Sequence, residues 1–201
     1  HISTMEGGMV LTNNKELYHI LLSLRAHGWT RNIPQPSSLV KKNNDNFFES
    51  FRFIFPGYNV RPLEFEGAIG LEQLKKLPGF IRVRKQNAKY FISRLSKFHE
   101  KIYIQKEIGE SSWFGFTLII KPNLKIKRKV LHSLLEKSGI ESRPIVTGNF
   151  AKSESLKYYN FKIPSPLINA EILDKYGLFI GNNHFNQNKM IDKLCEIIGK
   201  L

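Results

Sequence analysis

The clearest indication of the fold lies in residues 111–139, SSWFGFTLIIKPNLKIKRKVLHSLLEKSG. The first ten of these residues are rich in aromatic and β-branched side chains, which is typical of a strand inside a sheet. From Ile126 onward, apolar residues recur at helical spacing, and the pattern ends at Gly139, a residue that commonly terminates helices. A strand followed closely by an amphipathic helix predicts a domain in which a sheet packs against helices.

The segments on either side continue this pattern. KIYIQ at 101–105 and LFIG at 178–181 predict two further strands. NAEILDKYG at 169–177 and NQNKMIDKLCEIIGKL at 186–201 predict two further helices. We therefore expect residues 101–201 to form a small α+β domain whose mostly antiparallel sheet is covered by helices.

The chain before residue 100 has a different pattern. GGMVLT at 7–12 predicts one short strand whose sheet partners are not present, so we expect the rest of that sheet to precede the sequence. Asn13 or Asn14 then provides an N-cap for a helix that ends just before Gly28. The helical spacing there is set by Leu17, Ile20, Leu21 and Leu24.

The next segments predict a loop, a turn and a long helix. Residues 29–46 are polar and lack periodicity, which favours a loop that covers a site or crosses to a neighbouring subunit. FFESFRFIFPGYNVRP at 47–62 predicts an extended segment that enters a tight turn at Pro56-Gly57. Residues 63–77 and the helical stretch after Pro78 predict one long bent helix, interrupted at that proline.

Composition limits the function classes. The chain has no stretch of 18 apolar residues and no secretory leader, so we expect a protein that is not in a membrane and resides in the cytoplasm. One cysteine, Cys195, cannot hold an iron–sulfur cluster or a structural zinc, and its place in the terminal helix predicts core packing. We expect no metal site.

The net charge of +14 invites comparison with nucleic-acid-binding proteins. Its basic residues are scattered, however, in short groups such as RVRK at 82–85 and KIKRK at 125–129. This distribution favours a solvated surface that serves an anionic small ligand, with no nucleic-acid partner. A basic nucleic-acid-binding module remains the alternative from another function class.

Five motifs together resemble the second half of the DegT/DnrJ/EryC1/StrS sugar aminotransferase family. They are HISTMEGGMVLTN at 1–13, RAHGWTRN at 25–32, FPGYNVRPLEFEGAIGLEQLKKLP at 55–78, ESSWFGF at 110–116 and ESRPIVTGNF at 141–150. The resemblance implies an α/β fold, the C-terminal part of a fold type I pyridoxal-phosphate (PLP)-dependent aminotransferase. It also implies that PLP or pyridoxamine phosphate is the cofactor.

The resemblance also divides the chain into two functional parts. It implies that residues 1–100 are the end of the cofactor-binding large domain, with a loop that contacts a second subunit and a long bent helix. Residues 101–201 would then be the small C-terminal domain. The implied assembly is a homodimer.

His1 occupies the position at which the family's aminotransferases carry the cofactor-binding lysine. Taken alone, an N-terminal histidine is a tag remnant or an arbitrary start. The motif that follows it instead resembles the branch of sugar 3-dehydratases in which histidine replaces that lysine. An imidazole cannot hold the cofactor covalently, but near neutral pH it can serve as both base and acid. The implied reaction removes the C3 hydroxyl of a GDP-linked 4-keto-6-deoxyhexose during deoxysugar synthesis, for example for O-antigen. The alternative within the enzyme class is an aminotransferase-like relative.

The resemblance also suggests cofactor and substrate residues. Asn59 would reach the cofactor phosphate of the other subunit, although a simple turn is the alternative. Arg61 would meet a phosphate or carboxylate, unless it is an ordinary surface residue. Glu141 and Arg143 would bind the nucleotide sugar or the amino donor glutamate, unless they form a structural ion pair. His27 would either cap the preceding helix or belong to the active site.

Overall fold

The computed structural model describes residues 2–201, so the position of the predicted catalytic residue, His1, lies outside the described part. The described chain divides into two compact units, residues 2–75 and residues 76–201. None of the helices in residues 2–201 combines the length and apolar character needed to cross a bilayer.

Two helices lie wholly within residues 2–75, the predicted one and a shorter one that was not predicted. Helix α1 spans Lys15–Leu24, and the Asn14 side chain caps it by accepting from the N–H groups of Glu16 and Leu17. Helix α2, Asn46–Ser50, covers the start of the 47–62 segment, which we expected to be extended up to its turn at Pro56-Gly57. The Asp45 carboxylate caps α2, a short-range signal that the aromatic pattern obscured.

The 7–12 segment forms no strand in the described structure. Its residues Met9, Val10 and Leu11 are between 71% and 84% exposed. A strand is defined by hydrogen bonds to a neighbour, and this segment has no neighbouring strand to pair with. The predicted strand is therefore absent here, and the physical reason is the same lack of sheet partners that was noted from the sequence.

The predicted loop at 29–46 is confirmed except at Asn46, where α2 begins, since residues 29–45 contain no helix or strand. The side chain of Glu49 in α2 holds this loop in place. Its Oε1 atom accepts from the main-chain N–H of Asn43 and from Nη1 of Arg52, each at 3.0 Å. These bonds, led by the one from Asn43, lower the pKa of the Glu49 carboxyl.

The unit of residues 76–201 is built on a three-stranded antiparallel sheet in the order β1-β2-β3. The strands are β1, Ile102–Ile104, β2, Gly115–Ile120, and β3, Gly177–Gly181. In register, Ile104 pairs with Leu118, and Thr117 pairs with Phe179. All three predicted strands are thus confirmed, and both pairings are antiparallel.

Four helices accompany this sheet. They are α3, Glu64–Leu95, which begins before the unit, α4, Arg128–Lys137, α5, Ile168–Tyr176, and α6, Asn188–Gly199. Helix α5 packs against β2 and β3, and α4 packs against β3 and α6. Short 3₁₀ turns occur at residues 96–98, 122–124 and 150–158. The predicted α+β arrangement is confirmed for this unit.

Helix α3 is the predicted long helix, but it runs continuously through Pro78. The proline ring fixes φ near the helical value, so the chain can continue with the loss of one N–H donor. Beyond Pro78 the helix buries Ala88, Phe91 and Leu95 in the core. Phe91 stacks on Phe116 of β2 with ring centroids 4.3 Å apart.

The compact unit starts at residue 76, inside the predicted long helix. The reason is that one face of α3 supplies part of the sheet's hydrophobic core. Cys195 is also in that core, 4% exposed, and burial raises the pKa of its thiol, so the predicted packing role is confirmed.

Candidate functional site

The first candidate site forms within residues 2–75, where the end of α1 meets the 56–61 turn. The main chains of Ala26 and Asn59 form an antiparallel bridge. His27 N–H donates to the Tyr58 carbonyl at 2.8 Å, and Tyr58 N–H donates to the Leu24 carbonyl at 2.7 Å. These bonds fix the predicted residues His27 and Asn59 beside each other on the backbone.

Two glycines allow this close approach. Gly28 has φ +86°, and a Cβ atom there would collide with the carbonyl of Phe55. A Cβ atom on Gly57 would lie 2.9 Å from the Leu24 carbonyl oxygen and closer still to the His27 main chain. The glycines in RAHG and PGYN are therefore required by the contact between these two segments.

Trp29 provides the surface on which the side chains of this site collect. The His27 ring meets it edge-on at 5.7 Å between centroids. The guanidinium carbons of Arg31 and Arg61 lie over it, 4.4 and 5.8 Å from the ring centroid. We call His27, Trp29, Arg31, Asn59 and Arg61 the turn site.

The turn site is positively charged and open. Asn59 and Arg61 are exposed, and neither Arg31 nor Arg61 forms an ion pair with a carboxylate of residues 2–201. His27 lies three residues after Leu24, the last residue of α1, with φ +61°, and its imidazole contacts the Trp29 ring. Arg31 Nη2 donates to the Ser50 carbonyl at 2.8 Å, whereas the Arg61 guanidinium and the Asn59 amide are exposed to solvent. Exposed donors of this kind suit an anionic group such as a phosphate.

The second candidate site is a cleft of about 420 Å³ within residues 76–201. Both Glu141 and Arg143 line it, so the structure brings together the two substrate residues predicted from ESRPIVTGNF. Neither residue takes part in the ion pairs formed within residues 2–201. We call this cavity the Arg84 cleft, after the residue described below.

The β3 strand positions Arg143. The Arg143 N–H donates to the Phe179 carbonyl at 3.0 Å, and the Phe179 N–H donates to the Arg143 carbonyl at 2.7 Å. The Arg143 guanidinium carbon lies 4.9 Å from the Phe179 ring centroid. Next to it, Ser142 Oγ is 2.9 Å from His132 Nδ1. Arg143 is thus held by its backbone while its charged end stays exposed.

Arg84 of α3 also lines this cleft, and sequence reasoning missed it. The RVRK group was expected to be solvated, but Arg84 is only 8% exposed, and burial lowers its pKa. The available signal was its spacing: Arg84 precedes Ala88, Phe91 and Leu95 on one helical stripe, where it is the charged member among apolar residues.

A network of amides holds the wall of the cleft around Arg84. Asn182 Nδ2 donates to the main-chain carbonyls of Arg84 and Trp113 at 3.1 and 3.0 Å. Asn87 Nδ2 in turn donates to Asn182 Oδ1 at 3.0 Å. Because these amide groups are buried and bonded, they fix α3 relative to the loop after β3.

Comparison with known proteins gives a consistent result. Residues 1–197 match the model of the DegT/DnrJ/EryC1/StrS aminotransferase family. Over 200 residues the chain is 54% identical to the GDP-4-keto-6-deoxy-D-mannose 3-dehydratase of Escherichia coli O55:H7, a match that covers 98% of this chain and 51% of the relative. The chain spans about half the length of the curated relatives it matches.

Two solved structures extend the similarity to the fold. GDP-4-keto-6-deoxymannose-3-dehydratase with a trapped PLP-glutamate geminal diamine gives a TM-score of 0.92 at 52% identity, over 98% of this chain and 51% of that one. A mutant of the same enzyme with bound GDP-perosamine gives 0.87 at 52% identity, over 94% and 49%. The predicted fold class, the C-terminal part of a PLP-dependent aminotransferase fold, is confirmed.

Proposed function

Because the chain belongs to the DegT/DnrJ/EryC1/StrS aminotransferase family, we propose that it is the C-terminal half of a nucleotide-sugar 3-dehydratase. The observation that carries this proposal is the 54% identity to GDP-4-keto-6-deoxy-D-mannose 3-dehydratase over nearly the whole chain. The proposed reaction removes the C3 hydroxyl of a GDP-4-keto-6-deoxyhexose in the synthesis of a deoxysugar such as colitose. Lipopolysaccharide O-antigen is its proposed destination, and the proposed location is the cytoplasm.

The turn site fits the cofactor that we propose, PLP or pyridoxamine phosphate. Its exposed Asn59 amide and Arg61 guanidinium have the donor chemistry that a phosphate requires, and no carboxylate of residues 2–201 competes for Arg61. When bound, the cofactor supplies an electron sink for the sugar. We assign Asn59 to the phosphate of the partner subunit's cofactor, with Arg61 and His27 beside it toward the substrate.

His1 is the proposed acid and base. It would take up a proton and return one to the C3 hydroxyl as that group leaves as water, a role that suits an imidazole near neutral pH. The upstream half of the protein would supply the remaining cofactor contacts. Residues 1–100 would then complete the large domain, and residues 101–201 would be the small domain.

Glu141 and Arg143 are the proposed substrate residues of the Arg84 cleft. Arg143 presents an exposed guanidinium for a diphosphate or for the carboxylate of glutamate, the proposed amino donor. The exposed Glu141 carboxylate can accept hydrogen bonds from a base or from sugar hydroxyls. A sugar-nucleotide aminotransferase-like relative remains the second candidate, since the family model itself describes aminotransferases.

The test is to compare the full-length protein with its His1→Lys variant. Given a GDP-4-keto-6-deoxyhexose and glutamate, the native enzyme should release water and form the 3-deoxy product. A lysine can capture the cofactor aldehyde covalently, so the variant should show a changed absorbance spectrum and lose dehydration. Amino transfer by the native enzyme would favour the second candidate. An unchanged spectrum with normal product in the variant would place His1 away from the cofactor.

We further propose a homodimer whose interface includes the 47–62 segment. Its Phe47, Phe51 and Phe53 are between 52% and 79% exposed, beside the turn that carries Asn59. Mixed dimers of Asn59→Ala and His1→Asn chains should regain activity, because one of their two composite sites carries neither change. Dimeric mixtures without activity would show that Asn59 does not act across the interface.

The 201-residue chain by itself is expected to be inactive and to bind pyridoxamine phosphate weakly or not at all. The exposed apolar segment at 9–11 lacks the upstream strands that would cover it. Titration of the chain while cofactor fluorescence is followed checks this expectation. Micromolar binding together with turnover would show that the upstream half is dispensable.

A further inference from the structure

Arg84 is a buried cation that no carboxylate of residues 2–201 neutralises. The residue is 8% exposed, and its Nε–H has no hydrogen-bond partner in residues 2–201. The one bond of its guanidinium is a long one, 3.5 Å from Nη1 to the carbonyl of Phe114. None of the ion pairs formed by residues 2–201 includes Arg84.

Other basic side chains of this unit do find carboxylates. The neighbouring Lys85 pairs with Glu110, and Arg94, further along the same helix, pairs with Asp192 at 2.9 Å. Both of those pairs are at least partly exposed to water. Arg84 therefore differs from them in two respects, since it is more deeply buried and no carboxylate of residues 2–201 pairs with it.

An unpaired buried charge is costly, because it loses its hydration without gaining a counter-charge. A protein normally avoids such a group unless an anion arrives from elsewhere. The Arg84 cleft supplies the route for that anion. Arg84 lines it together with Arg143 and Ser142, and Glu141 is the acidic residue among the lining side chains.

The two cations have different surroundings that suit one ligand. Arg84 is held in place from behind by Asn182, which bonds to its main-chain carbonyl at 3.1 Å. Arg143 is exposed and stacked on Phe179. A molecule that carries an oxyanion at one end and hydrogen-bond donors at the other would satisfy Arg84 and also meet the exposed Glu141 carboxylate.

We propose that Arg84 is the buried anchor for an oxyanion of the ligand that occupies the Arg84 cleft. The inference rests on the proposed function for the identity of that ligand. The oxyanion is either the diphosphate of the nucleotide sugar or a carboxylate of glutamate. Both present oxygens that a guanidinium fork binds through two parallel hydrogen bonds.

The experiment uses the full-length protein and three variants. Arg84→Met removes the charge, Arg84→Lys keeps it without the fork, and Arg82→Met changes the exposed arginine two residues away on the same helix. Calorimetric titrations use pyrophosphate and GDP in one arm and glutamate in the other. Thermal unfolding of each variant without ligand completes the set.

Loss of one charged hydrogen-bonding partner should weaken binding by about tenfold to a hundredfold. We expect Arg84→Met to show this loss in one arm, which identifies the oxyanion, and Arg84→Lys to show a smaller loss in the same arm. Arg82→Met should bind as the native protein does. Without ligand, Arg84→Met should unfold at the same temperature or a higher one, because it removes an uncompensated buried charge.

Two outcomes would overturn the proposal. One is native affinity in both arms for Arg84→Met. The other is a lower unfolding temperature for Arg84→Met while Arg84→Lys keeps native affinity, which would assign Arg84 to an ion pair with the upstream half. Binding requires no turnover, so native protein that binds these probes but does not dehydrate the sugar would contradict the proposed function alone.

Discussion

The two units of the chain distribute their hydrophobic side chains in opposite ways. The 76–201 unit encloses a continuous core with Phe91, Phe116 and Trp113 at its centre. In residues 2–75 the buried hydrophobic residues are Ala26, Ile33 and Val40. The larger apolar side chains of that unit are exposed, among them Met9, Val10, Leu11, Phe47, Phe51 and Tyr58.

The buried apolar side chains stabilise the unit that contains them, whereas the exposed ones are available for contacts with another part of the protein. Burial of apolar surface is the main source of folding stability, and the 76–201 unit obtains it within itself. The 2–75 unit exposes large apolar side chains next to its site residues, which is typical of an interaction surface. The proposed upstream half and second subunit would cover these exposed side chains.

The largest effect is expected from truncation. A protein of residues 76–201 should unfold cooperatively, whereas residues 101–201 should not, because that piece lacks Ala88, Phe91 and Leu95 of α3. Circular dichroism during heating measures the difference. Equal cooperativity in the two pieces would show that the core does not depend on α3.

A smaller effect is expected from single aromatic substitutions in the full-length protein. Phe116→Ala should lower the free energy of unfolding by about 3–5 kcal/mol, because it leaves a cavity where the fully buried ring had packed. Phe47→Ser, at a side chain 79% exposed in this chain, should change subunit association instead. Denaturant titration and sedimentation measure the two quantities. If Phe47→Ser dimers are as stable as native ones, the 47–62 interface is incorrectly assigned.

The smallest effect is expected from the exposed ion pairs of the 76–201 unit. Hydrogen bonds from Lys152 lower the pKa of the carboxyls of Glu171 and Asp174. Carboxyls with lowered folded-state pKa values stabilise the fold above their unfolded pKa, and this contribution is lost as the pH falls through the lowered values. Lys152→Met should therefore flatten the loss of thermal stability in acid.

The control for this pH dependence is Lys157→Met. Within residues 2–201, Lys157 forms an ion pair with Glu154, three residues earlier in the chain, at 3.7 Å, and both side chains are exposed. Exposed pairs of this kind contribute little to stability. The melting temperature as a function of pH should thus be unchanged in Lys157→Met. If the two variants have identical acid profiles, the Lys152 cluster does not stabilise the unit.

Several elements followed from local sequence alone. Asn14 caps α1 as predicted, Gly139 follows α4 with φ +73°, and the aromatic run before residue 120 forms β2. The motifs also singled out Asn59 and Arg61 in one stretch and Glu141 and Arg143 in another. These features depend on neighbours in the chain or on residues at helical and strand spacing, which a sequence displays directly.

Other features were decided by the tertiary structure. The 7–12 segment has strand composition but forms no strand, since a strand needs a partner that its own sequence does not supply. The role of Trp29 as the surface beneath Arg31 and Arg61 depends on a turn folding back onto α1.

Arg84 shows the same division within one residue. Its spacing with Ala88, Phe91 and Leu95 was visible in the sequence and placed it on the apolar face of a helix. Whether that position was buried, and whether a carboxylate met it there, depended on segments nearly a hundred residues away, including Asn182. The sequence by itself determined the helix and its faces. The tertiary structure decided that no carboxylate of residues 2–201 pairs with the Arg84 charge, because burial and pairing arise only between distant parts of the chain.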